Sequence, residues 1–94
     1  MKLIAVKDMK SQLFLKPHFE NSLADATRSF EVMANESENM LSKFPHDFRL
    51  MHIADFDIET GILSPMDLAT DLGSVADYQR KTSTQESLSL KQVN

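Results

Sequence analysis

Phe48-Arg49-Leu50-Met51-His52-Ile53-Ala54-Asp55-Phe56-Asp57-Ile58-Glu59-Thr60-Gly61-Ile62-Leu63 is the stretch on which the fold turns. Phe48 to Phe56 is apolar on alternate positions in both phases: Phe48, Leu50, Ala54 and Phe56 interleave with Met51 and Ile53. A period of two marks a strand, and apolar residues in both phases mark a strand with both faces in apolar surroundings. Asp57 then opens a turn through its carboxylate, and Gly61 supplies the left-handed residue that closes a hairpin of the bulged kind. Ile62 and Leu63 begin a short return strand, which Pro65 is expected to end.

Working outward toward the N-terminus, Lys2 to Lys7 reads as a strand built on Leu3, Ile4, Ala5 and Val6. Asp8 to Ser11 supplies turn chemistry, and Gln12 to Lys16 reads as a return strand that Pro17 ends. Between the two hairpins lies a helix from Leu23 to Ala34, capped by Asn21 or Ser22, with Asp25 near the positive end of its dipole. Leu23, Ala26, Phe30 and Met33 recur at spacings of three and four, so they form its buried stripe. Met40, Leu41 and Phe44 are expected to pin the following loop onto the core. Toward the C-terminus, Met66 to Arg80 reads as a weaker second helix, started afresh at Gly73-Ser74. The polar run from Lys81 onward reads as a flexible tail.

The expected fold is therefore α+β: a small antiparallel sheet of two hairpins with one main helix, in ββαββ order, followed by a weak C-terminal helix. Residues 1–80 form one domain and 81–94 the tail. One helix covers one face of such a sheet. The other face needs a lid, supplied by the 66–80 segment, a second copy of the chain or a ligand.

Composition narrows the function classes. The 94 residues contain no cysteine, which excludes disulfides and thiolate-bound zinc and suits a reducing cytoplasm. Met1 to Asp8 holds too few apolar residues for a signal-peptide core, and no later run is long enough to span a bilayer, so no membrane role is expected. A net charge of -4 argues against sequence-blind binding to duplex DNA. The charge is uneven, however: residues 1–52 carry seven basic and seven acidic side chains, and residues 53–94 carry three and seven. A locally positive N-terminal surface is compatible with this balance.

The chain resembles the small non-structural proteins of gokushovirus-type microviruses, bacteriophages with small circular single-stranded DNA genomes. The resemblance rests on Met1-Lys2-Leu3-x-Ala5-Val6-x-Asp8, Phe14-Leu15-x-Pro17-x-Phe19, Ala26-x-x-x-Phe30, Lys43-Phe44-Pro45-x-Asp47-Phe48-x-Leu50, Phe56-Asp57-x-x-Thr60-Gly61 and Leu72-Gly73-Ser74-Val75, in that order. It implies an accessory protein of the host cytoplasm, acting where replication turns to single-stranded genomes for packaging. The implied partners are single-stranded DNA, replication proteins or both. It brings no catalytic residues and no cofactor.

The residues themselves agree with a binding protein rather than an enzyme. His52-x-x-Asp55-x-Asp57 is the one constellation suggestive of a metal or an acid/base pair. On a regular strand an odd separation sends His52 and Asp55 to opposite faces, and Asp57 is already accounted for by its turn. His18 and His46, beside prolines, read as surface residues. With only Gly61 and Gly73, the chain has no phosphate-cradling loop. For nucleic acid, the candidates are Phe14 and Phe19 as stacking rings, with Lys7, Lys10, Lys16 and Arg49 alongside the backbone. The competing expectation puts both rings in the core, because a small domain needs its large apolar side chains there. An adaptor for a host or viral protein, with no nucleic-acid contact, is the alternative function. Self-association as a symmetric dimer through the uncovered sheet face is expected in either case.

Overall fold

In the computed structural model, residues 1–80 are described; the expected tail, 81–94, lies outside them. The elements are β1 (Lys2–Asp8), β2 (Leu13–Phe14), β3 (His18–Glu20), α1 (Leu23–Ala34), α2 (Met40–Lys43), β4 (Phe48–Phe56), β5 (Leu63–Ser74) and α3 (Val75–Tyr78). The fold is α+β, as read. All strand pairings are antiparallel, in the order β2-β1-β4-β5, with β3 also on β1.

The N-terminal hairpin is longer than its sequence suggests. Pro17 interrupts the return strand rather than ending it: β2 pairs with the end of β1 at Lys7 and Asp8, and β3 pairs with its start at Lys2 to Ile4. Between them the returning chain holds one residue more than β1, a bulge that suits the missing proline N–H.

The main helix spans Leu23–Ala34, with the Ser22 side chain accepting from the Asp25 amide at 3.1 Å and Asn35 at the C-cap. Its sealed positions are Ala26, Phe30 and Ala34; Met33 is only half-buried. These side chains meet Ile4, Val6, Phe48, Leu50 and Val75 in one core. Tyr78 closes it, its ring edge-on to Phe30 at 5.3 Å and its hydroxyl donating to the Leu72 carbonyl at 2.6 Å. Leu41 packs against this core, but Met40 and Phe44 are exposed on the outside of α2, contrary to expectation.

The 66–80 segment departs most from its reading. It is not a helix from Met66; β5 runs to Ser74, and Pro65 sits within the strand opposite Ala54. Proline is tolerated there because β5 is an edge strand. The expected restart does occur, with Ser74 and Asp77 forming a reciprocal capping box for the four-residue α3. Gly73 makes the junction possible: at φ +115° it lies where a Cβ would meet Asp77 Oδ2 at 3.1 Å and Tyr78 Cε2 at 3.2 Å. Asn35 and Gln79 then stitch the segment to α1 and α2 through the carbonyls of Tyr78, Ala34 and Ser42. The 66–80 segment therefore contributes an edge strand and, at Val75, a core residue.

Of three register shifts along β4, one leaves Leu72 unpaired between Gly73 and Asp71, and the other two meet at Ile53 on the open face. Against β1 the register slips at Ile53, which has no partner between His52, opposite Ile4, and Ala54, opposite Leu3. Against β5 the same residue stands opposite Met66 to Ala69, four residues looped out between Pro65 and Thr70. The turn itself forms as read, with Asp57 Oδ1 accepting from the Glu59 amide at 2.9 Å and Gly61 at φ +75°.

Candidate nucleic-acid interface

Directly paired residues on neighbouring strands share a face, so the registers define which side chains stand together. Ile4 and Val6 lie opposite His52 and Leu50 on the helix-covered side. The alternate residues Leu3, Ala5 and Lys7 therefore point to the other side. Lys7 lies opposite both Phe14 and Arg49, Ala5 opposite Met51, and Leu3 opposite both Phe19 and Ala54. Because the slip at Ile53 reverses the alternation in β4, Ala54 and Phe56 join this open face together with Leu63, the partner of Phe56. Ala5 and Ala54 are buried yet stand outside the core cluster, as residues beneath larger neighbours on the second face should.

Four of the six residues singled out from the sequence, Lys7, Phe14, Phe19 and Arg49, thus occupy one face of the sheet. Neither phenylalanine belongs to the core: Phe14 is 46% and Phe19 47% exposed. The core expectation fails for both because their partners Lys7 and Leu3 place them on the opposite side of the sheet from the core residues Ile4 and Val6. The Lys7 ammonium stands over the Phe14 ring at 5.5 Å from its centroid, and Phe19 leans on Phe56 at 5.4 Å. Lys10 in the β1–β2 turn and Lys16 in the link to β3 are exposed at the rim.

Arg49 is less available than its sequence position suggests. Its Nε donates to Asp71 Oδ2 at 2.7 Å, and Asp71 also receives the Gly73 amide at 2.9 Å. Burial pushes the Asp71 carboxyl up, but the Arg49 hydrogen bond, the Gly73 amide and the Arg49 charge outweigh it and hold the group below its ordinary value. Sequence reasoning missed Asp71 because it placed residue 71 in a helix; a strand at 63–74 with Asp71 beside Met51 puts it within reach of Arg49.

The His52 constellation also needs correction. His52 and Asp55 are not separated: the imidazole Nε2 lies 2.9 Å from Asp55 Oδ1 and 3.1 Å from the Ala54 carbonyl. The odd-separation rule fails because the slip at Ile53 reverses the alternation between them. The His52 hydrogen bond, and after it the Lys2 ammonium at 3.1 Å, lowers the Asp55 carboxyl from its ordinary value. Lys2 and Asp55 are cross-strand partners, so the cluster ties the start of β1 to the distorted part of β4. Among the described residues no three His, Cys, Asp or Glu side chains are placed to hold a metal ion.

No curated protein and no solved structure matches the chain. The family described as "Phage ORF5 protein" matches over residues 1–78, which include the strands and helices of the described residues and all six candidate residues, and the chain belongs to that bacteriophage protein family.

Proposed function

We propose that this phage protein is a non-structural accessory factor of the gokushovirus type that binds single-stranded DNA in the host cytoplasm while genome synthesis turns from duplex intermediates to packaged single strands. The observation that carries the reading is the gathering of Phe14, Lys7, Arg49 and Phe19 on the sheet face that the helices leave open. Exposed rings on a sheet stack on unpaired bases, and neighbouring cations follow the phosphates. Phe14 and Phe19 stand beside Lys7 and Leu3, roughly 13 Å apart along β1, and so form two separate stacking positions. The role is one of holding and presenting a strand, with no chemistry on it and no cofactor.

The test is a fluorescence-anisotropy titration of single-stranded oligonucleotides at several salt concentrations. The expected result is binding that weakens with salt and that falls on Phe14→Ala. Absence of binding at low salt would discard the reading. It would favour a protein-binding adaptor, the role with which the net charge of -4 agrees best.

A further inference from the structure

The two exposed rings Phe14 and Phe19 stand on the same outer edge of the sheet, with a cation between them. Phe14 lies beside Lys7 and Phe19 beside Leu3, so the two are roughly 13 Å apart along β1. The Leu15 amide donates to the Val6 carbonyl at 2.7 Å, which leaves Lys16 and Pro17 to share the position beside Ala5, between the rings. Lys16 is exposed, whereas Ala5 is sealed and offers no ring of its own. Glu20 is the one acid among residues 13–20; it lies opposite Lys2, on the covered side, within 3.0 Å of the His18 imidazole. Asp8 also alternates to the covered side, and its carboxylate accepts the Lys10 amide at 2.9 Å. Toward β5 the open face carries a carboxylate instead: Asp71 stands beside Met51, the partner of Ala5.

From this arrangement we infer that the face takes three nucleotides of a single strand, laid along the β2–β3 edge rather than across the sheet. The outer two bases stack on Phe14 and Phe19, and the two phosphates between them pass Lys16. The inference rests on the single-strand reading above and adds to it a length, a path and a pattern of contacts. A stacked strand rises ~3.4 Å per nucleotide, so about four stacked steps would be needed to span the rings. Bases held against protein rings are splayed out of their own stack, and a backbone stretched to roughly twice the stacked rise covers the distance in two steps. The middle nucleotide then lies over Ala5, where its base has nothing to stack on. The path follows from charge as well as from the rings: Lys16 attracts phosphates to the outer edge, and Asp71 repels them from the β5 side.

The test is displacement of a labelled oligothymidine from the full chain at low salt by unlabelled strands of two, three and six thymidines, and by trinucleotides lacking one base. From two nucleotides to three, affinity should rise by at least about fivefold, the worth of one more stacked base. Removing either outer base of the trinucleotide should cost about five- to a hundredfold, and removing the middle base less than about twofold. In Phe14→Ala one of the two outer losses should vanish, and in Phe19→Ala the other, which also gives the direction of the strand; circular dichroism checks that both variants stay folded. Lys16→Gln, at an exposed position, should lower the salt slope by about 0.7 per phosphate released and leave the base pattern unchanged. Equal losses at all three positions, trinucleotides that fail to compete where hexanucleotides succeed, or outer losses that survive in both phenylalanine variants would overturn the footprint and leave the single-strand reading standing. A labelled strand that does not bind at low salt would overturn that reading, and the footprint with it.

Discussion

The two faces of one sheet have been put to different uses. On the covered face, Ile4, Val6, Phe48 and Leu50 are sealed by Ala26, Phe30, Ala34 and Val75. On the open face the buried residues are two alanines, Ala5 and Ala54, and the large side chains stand above them half in water: Phe14, Phe19, Leu63, Lys7 and Arg49. Burial of apolar area stabilises the fold through the first face. The second leaves its apolar and cationic groups available to something else. Small residues beneath large exposed ones make a shallow platform, which suits a flat ligand or a second sheet.

The contrast is broken most decisively by emptying the covered face. Phe30 is 2% exposed and touches both the sheet and Tyr78. Phe30→Ala is expected to cost ~3–5 kcal/mol, enough to unfold much of so small a domain. Urea denaturation followed by circular dichroism measures it, and a loss under about 1 kcal/mol would mean that the core is not where the packing puts it.

On the open face the same truncation should read differently. Phe14→Ala removes a half-exposed ring, so stability should change by less than about 1 kcal/mol. Single-strand affinity should fall by ~1–3 kcal/mol, the usual worth of one base stacked on an aromatic ring. A variant that binds as well as wild type but unfolds early would reassign Phe14 to the core.

A smaller effect sharpens the electrostatic side of the comparison. Asp71 occupies the Arg49 guanidinium, and Asp71→Asn removes that competing charge while keeping an acceptor for the Gly73 amide. DNA binding should tighten a few-fold and its salt dependence steepen by up to about one phosphate contact. An unchanged salt slope would place Arg49 outside the interface.

Legibility in the sequence divides along the same line. The helix, its cap within the Asn21–Ser22 pair, the Asp57–Gly61 turn and the Ser74 restart are all readable because each depends on a local signal within a few residues. β5 was not, since Pro65 argues locally against a strand and only its edge position permits it. The site was half legible. Aromatic and basic residues near the N-terminus could be named, but their common face depends on which registers β1 shares with three other strands. The slip at Ile53 leaves no mark in composition, and it alone decides that Ala54 and Phe56 join Leu3 while His52 meets Asp55.

The smallest expected effect concerns the junction between the edge strand and α3. Asp77 accepts the Ser74 amide at 2.8 Å while its own amide donates to the Ser74 hydroxyl. The backbone hydrogen bond from Ser74, and after it the Ser74 hydroxyl, hold the Asp77 carboxyl below its ordinary value. A carboxyl lowered in the folded state contributes stability that is fully present above the unfolded pKa, about 4, and that disappears as pH falls through the lower folded value. Asp77→Asn keeps an acceptor but no titration, so it should be slightly less stable than wild type at neutral pH, with the gap closing in acid. Asp55, Asp57 and Asp71 are lowered as well, so the variant should retain most of the acid sensitivity of the fold. Urea midpoints at neutral pH and in acid decide the matter: parallel curves for the two proteins would show that the Asp77 charge contributes nothing to the cap, and a gap that widens in acid would reverse the sign argued here.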